Sequence, residues 1–299
     1  MTEILLRAAC FVAIIALGAV LRRAGFFKKK DFHVLSRIVI NITMPAAIIT
    51  NFAGRQLEYS LLILILIGFL CGIIHMLTAW LLNRSRGASA QAFAVLNTSG
   101  VNIGNFALPF AQSFLGPAGV MTASLFDVGN AFTCLGGAWS VAGMILEKEN
   151  RFSLRPIFRT LRRSVPLITY IIMCLLSILR ISLPVPAVSL AGIIGGANSF
   201  LAMLMLGIGL QLDIRRIREV LRLLLPRYIV SIALAALCYF FLPVPPEYRP
   251  ALIIPFLGPV ATAAPAFTAR LKGDYELAST VNSFSILFSI VLITAALLI

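Results

Sequence analysis

Acidic side chains are scarce in this chain, with eleven Asp and Glu against twenty-five Lys and Arg in 299 residues. Charge of either sign makes up only 12% of the sequence, about half of the roughly 25% usual in globular domains. Ten of the acidic residues lie near the ends of apolar runs or between them, and Asp127 alone lies deep inside one. HExxH, GxSxG and P-loop patterns are absent, and a single Asp cannot make an aspartyl dyad, so the residues argue against an enzyme. No nucleotide-binding module is visible to drive ATP-coupled transport. Cysteine is sparse too: Cys10, Cys71, Cys134, Cys174 and Cys238 all sit in apolar runs with no CxxC pair. Buried Cys behaves as a small hydrophobe, so no disulfide, metal site or cofactor is expected.

Apolar residues fill that space. They make up 60% of the chain, and a membrane span needs about 20 of them in a row. The pattern predicts ten spans, at 4–21, 34–54, 59–82, 89–115, 118–146, 164–183, 187–210, 223–242, 248–270 and 276–298. The first has no basic stretch before it and no clear cleavage site, so it reads as a retained span. The net charge of +14 is unevenly spread. With the N-terminus outside, the loops facing the cytoplasm hold every basic residue except Arg7, Arg55, Arg180 and Arg249. The positive-inside rule accounts for such a split. The basic excess then reports orientation and contact with anionic lipid, not nucleic-acid binding. Both termini are expected on the extracytoplasmic side of the cytoplasmic membrane.

The longest hydrophilic stretch, Glu147–Arg163, divides the chain into residues 1–146, a cytoplasmic basic loop at 147–163, and residues 164–299. Five spans in each half force the second half to enter the membrane inverted, as in many secondary transporters. Sequence traces agree: Ala123-Ser124-Leu125-Phe126-Asp127 in span 5 reads against Ala278-Ser279-Thr280-Val281-Asn282 in span 10, matching Asp127 with Asn282. Spans 4 and 9 hold equivalent places in the halves and carry helix breakers. Span 4 contains Gly100, Gly104 and Pro109; span 9 contains Pro255, Gly258, Pro259 and Pro265. Irregular backbone survives at membrane depth only inside protein or beside a water-filled cavity, so this pair points to a substrate site. Each broken span is expected to restart as a half-helix near the midplane, where two positive N-terminal ends would favour an anion without any buried Lys or Arg.

Asn97, Asn102 and Asn105 crowd span 4 and can both donate and accept hydrogen bonds. With Pro109, they are candidates to line the site. Thr262 and the backbone near Pro259 and Pro265 would complete it. Asp127 reads either as a proton or cation site, since intramembrane ionisable groups are costly and tend to be functional, or as a hydrogen-bonded tie between spans 5 and 4. Asn130 and Asn282 are its polar neighbours in this reading. His75 reads as a hydrogen-bonded packing residue, Gly192 and Gly196 as a close helix contact, and Arg37 and Arg227 as side chains that snorkel from span ends.

The runs VINITMPAAIITNF (39–52), LNTSGVNIGNFALPF (96–110) and PFLGPVATAAPAF (255–267) resemble the auxin efflux carrier family of permeases, particularly its bacterial members. The resemblance implies an all-α integral membrane protein of ten helices. These form two inverted five-helix repeats with crossing helices 4 and 9, as in sodium/proton antiporters and bile-acid symporters. Helices 1, 2, 6 and 7 would form a scaffold of a kind that often makes a homodimer, and helices 3–5 and 8–10 a moving transport domain. The expected function is elevator-type transport of a small organic anion, a carboxylate such as malate, malonate or an auxin-like acid. The alternatives are a cation/proton antiporter or sodium-coupled symporter using Asp127 as its ion site, and a non-transporting membrane sensor. Coupling to H+ or Na+ stays open.

Overall fold

The computed structural model describes residues 1–147 and 154–298, without the side chains of 154–156. Among these residues the chain is helical, with a single isolated β-bridge between Val101 and Val260. Seven helical runs are long and apolar enough to cross a membrane: Thr2–Arg23, Asp31–Phe52, Tyr59–Arg86, Ile103–Ile145, Val185–Gly209, Ile214–Phe241 and Tyr275–Leu298. The other three expected spans differ for physical reasons. The sixth is a shorter apolar helix, Val165–Ile178. The fourth and ninth are cut: Ala88–Thr98 ends before a helical run that restarts at Ile103, and Arg249–Leu257 ends before Ala264–Arg270.

Proline and glycine explain where the helices deviate. Pro45 and Pro109 each lack an N–H and crowd the preceding turn, and each follows a π-helical turn, Val39–Thr43 and Ile103–Ala107. Such turns are frequent at functional sites. At Gly116 the backbone turns sharply (φ 55°, ψ −139°) before Pro117, and this separates Leu108–Leu115 from the helix that carries Asp127.

Two glycine pairs bring backbones together. A Cβ on Gly129 would lie 1.9 Å from the Ile65 carbonyl oxygen, and one on Gly68 2.1 Å from that of Phe126. Gly18 and Gly207 do the same for Thr2–Arg23 and Asn198–Gly209, at 2.3 Å from Leu204 O and 2.0 Å from Ile15 O. Among the described residues of this single chain the expected Gly192/Gly196 contact is not made: neither has an atom within 4 Å of an added Cβ. Their face of the helix looks outward, and Gly195 packs instead, against Ala47.

The residues expected to form a basic loop contain a helix, Leu154–Leu161. Lys148, Glu149 and Arg151 lie outside the described residues.

Candidate functional site

The two breaks meet. The Asn102 N–H donates to the Pro259 carbonyl at 2.8 Å, and the Ala261 N–H donates to the Gly100 carbonyl at 3.0 Å. Together they make the antiparallel Val101–Val260 bridge. Side chains close the backbone groups that this exchange leaves open. Asn130 accepts from the Val101 N–H at 3.0 Å and donates to the Val101 carbonyl at 2.9 Å. On the other strand the Asn282 amide donates to the Val260 carbonyl at 2.8 Å, and Ser285 Oγ accepts from the Val260 N–H at 3.0 Å. The partner of Asn282 in this arrangement is therefore Asn130, not Asp127 as the sequence match suggested.

Arg227 corrects a second expectation. It does not snorkel: it is 2% exposed, well inside the helix Ile217–Phe241. Its Nε donates to the Thr98 carbonyl and its Nη2 to the Gly258 carbonyl, both at 2.9 Å. Thr98 and Gly258 end the first half-helices of the two broken segments. One guanidinium thus caps both negative C-terminal ends, and the expectation of a crossing without a buried basic residue was wrong. The restarts are also unequal. The first runs on from Ile103 into a long helix, whereas the second, Ala264–Arg270, has 7 residues.

A cavity of about 190 Å³ lies against the bridge. It gathers Asn102, Asn105, Asp127, Asn130 and Thr262, with Tyr170 from the helix Val165–Ile178. It is small beside the roughly 300–1,000 Å³ of drug-sized sites, which suits a ligand of few heavy atoms. The Asp127 carboxylate accepts from the Asn130 amide at 3.0 Å and from the Tyr170 hydroxyl at 3.3 Å. Asn105 donates to Thr262 Oγ1 at 3.3 Å, which joins the two breaks by side chains as well. Asn102 Oδ1 caps the restarting helix by accepting from the Asn105 N–H. That leaves one buried donor, Asn102 Nδ2, and one buried acceptor, Asn105 Oδ1, without a protein partner. Both residues line the cavity, and a buried polar group without a partner calls for an explanation such as a bound ligand.

Five of the ten candidates stand off this cavity. Asn97 donates to the Phe93 carbonyl and to Thr268 Oγ1, tying the first half-helix to Ala264–Arg270. The Pro109 carbonyl accepts from Ser199, and that of Pro259 belongs to the bridge. Pro265 opens Ala264–Arg270, and Asn282 holds backbone. Tyr170 and Ser285 were not singled out from sequence, because a lone Tyr or Ser in an apolar run carries no pattern. Arg227 did carry a signal: Leu223–Leu225 and Tyr228–Val230 flank it with apolar residues on both sides.

Comparison with known proteins finds membrane transporters. A family model described as "Membrane transport protein" matches residues 7–158, just over half of the chain. One described as "Sodium Bile acid symporter family" matches residues 199–299. A curated "Uncharacterized transporter" of Methanothermobacter thermautotrophicus is 29% identical over 132 residues. That match covers 42% of this chain, and the chain spans 43% of the relative's length. A helical chain with seven membrane-length apolar runs, matched over more than half its length by a transporter family and not by an enzyme family, belongs to the membrane transport protein family of the auxin efflux carriers.

Proposed function

We propose that this protein carries a small organic anion, a carboxylate in the malate, malonate or auxin-like range, across the cytoplasmic membrane by elevator-type alternating access. The observation that carries the reading is the antiparallel pairing of two helix breaks beside a cavity with unpartnered amide groups. Irregular backbone at membrane depth is tolerated where it lines such a cavity. Asn102, Asn105 and Thr262 would hold the ligand. Asn102 Nδ2 and the positive end of the helix restarting at Ile103 would meet its negative charge. Asp127, oriented by Asn130 and Tyr170, would couple or tune the cycle.

In this reading the chain has ten spans in two inverted halves, both termini outside. Apart from Met44–Phe52 against Leu108–Phe132, the more extensive contacts fall into two groups, which supports a division into scaffold and moving body. Spans 1, 2, 6 and 7 pack on one another, and spans 3–5 pack with 8–10. Several links between the groups are polar and exchangeable. Gln112 donates to the Gly195 carbonyl, the Ser113 and Ser199 hydroxyls bond, and Asp127 on span 5 accepts from Tyr170 on span 6. The separate family matches at 7–158 and 199–299 also suit two halves.

Purified protein in liposomes tests this by counterflow, with a panel of mono- and dicarboxylates and indole acids, at two pH values, with and without sodium. Saturable exchange of a carboxylate is expected. Absence of exchange across the panel sinks the anion assignment. Exchange that requires sodium or a pH gradient and vanishes in Asp127→Asn moves the reading to ion coupling at Asp127.

A further inference from the structure

A second cavity of about 230 Å³ opens between the helices Ile63–Asn83 and Ile217–Phe241 and the first half-helix Ala88–Thr98. Arg86, Arg222 and Arg227 all line it, together with Asn83, and no carboxylate does. Arg86 and Arg222 are exposed and have no ion-pair partner among the described residues. The contrast with Arg216 is instructive, because Arg216 is held by Glu219 and Asp274. Arg227 forms the inner wall, and its Nη1 is buried without a hydrogen-bond partner among the described residues, while its other two nitrogens donate to Thr98 and Gly258. A buried guanidinium N–H left unpaired is costly, and three like charges around one space repel unless something negative sits between them.

We infer that this cavity is a binding site for a phosphate-class oxyanion, held by Arg86, Arg222 and the third guanidinium nitrogen of Arg227. Planar guanidinium groups suit tetrahedral oxyanions because they offer paired donors. The apolar border favours a phospholipid as the source of the anion: Leu82 lines the cavity and is half-exposed, and Leu81 and Leu225, next to lining residues in the chain, are half-exposed as well. Basic pockets between membrane helices are a recognised way to hold lipid headgroups. The site is also wired to the breaks. Arg227 would hold the anion on one side and both half-helix ends on the other, so occupancy would steady the Val101–Val260 bridge. The site therefore acts as a lipid- or phosphate-sensitive support for the crossing. The inference concerns binding alone and does not rest on transport.

Thermal unfolding of the full chain in nanodiscs tests it. Phosphatidylcholine discs serve as the baseline, with phosphatidylglycerol titrated into the disc in one arm and inorganic phosphate added to the buffer in the other. The variant is Arg86→Gln/Arg222→Gln, which changes only exposed residues. A saturable rise in unfolding temperature with phosphatidylglycerol, needing about tenfold more lipid in the double variant, is the expected result. A saturable rise with inorganic phosphate alone, weakened in the same way, keeps the site and assigns its ligand to solution. No saturable rise in either arm, or a rise that is the same in the double variant, overturns the inference.

Discussion

The two helix breaks do the same structural work with different residues. In the first, around Val101, asparagines dominate and a carboxylate stands one turn from the clamping Asn130. In the second, around Val260, prolines dominate, and the position one turn before Asn282 is Ser279. Both breaks are closed by side-chain clamps, and both half-helix ends are capped by Arg227. The second break therefore shows that closure needs no carboxylate. Asp127 is thus not needed to close its break, and ionisable groups at membrane depth are where function is expected.

The largest effect expected on this comparison comes from removing what the breaks share. Arg227→Ala leaves two buried carbonyl ends uncapped and should cost about 2–6 kcal/mol, from about 1–3 kcal/mol for each acceptor left unsatisfied. Thermal unfolding in detergent reads it, and a loss below about 1 kcal/mol would mean the ends are satisfied some other way. Separating the two clamps comes next. Asn130→Ala strips the Val101 N–H of its acceptor while the Val101 carbonyl keeps the Ile103 N–H and Cys134 Sγ, whereas Asn282→Ala takes the amide from the Val260 carbonyl and leaves the Val260 N–H its bond to Ser285; an orphaned N–H is the rarer and costlier of the two. The first should cost about 1–3 kcal/mol and the second less. Equal losses would mean that the Val260 carbonyl needs its clamp as much as the Val101 N–H does.

Asp127→Asn should change stability by only about 1 kcal/mol, because the amide oxygen can still accept from Asn130 while the NH2 that replaces the other oxygen can donate to the Tyr170 hydroxyl oxygen. Counterflow should nevertheless fall about tenfold, while Ser279→Ala leaves it unchanged. A stability loss matching that of Asn130→Ala would make Asp127 structural after all.

The smallest effect concerns Asp274, which caps the helix after the second break by accepting from the Leu277 N–H at 2.9 Å. Its carboxyl sits below the ordinary value of 3.8: partial burial pushes it up, and the Leu277 amide and Arg216 outweigh that. A lowered folded value means the stabilisation is present above the ordinary value and fades as pH falls through the folded one. Wild-type protein should therefore lose slightly more stability than Asp274→Asn between about pH 5 and pH 3, with exposure keeping the difference small. Parallel curves would remove the contribution.

How much could be read from the sequence follows from how local each feature is. Breaks announce themselves through Gly100, Pro109, Gly258 and Pro259, because backbone limits are properties of single residues. Asn102, Asn105 and Thr262 were legible as polar groups in those breaks, and the cavity collects them. Asn97 looked the same but points to Thr268, since one turn of helix decides which side an amide faces. Arg227 was misread because a basic loop precedes it, and charge near a span end resembles snorkelling until its depth is seen. Gly192 and Gly196 matched a packing motif whose face turned out to be empty. Tyr170 reaches Asp127 only through the packing of distant segments, which no local pattern encodes.

Arg227 has an electrical consequence. In the elevator reading it travels with the broken helices, and so does Asp127. A charge carried fully across a bilayer exchanges about 2.3 kcal/mol with each 100 mV of membrane potential. While Asp127 is ionised the two fixed charges cancel, and the empty carrier returns without electrical work. A bound monoanion then moves as an uncompensated negative charge, so an inside-negative voltage drives it outward. In that reading the buried guanidinium, by balancing the carboxylate, would leave the cargo itself as the voltage sensor.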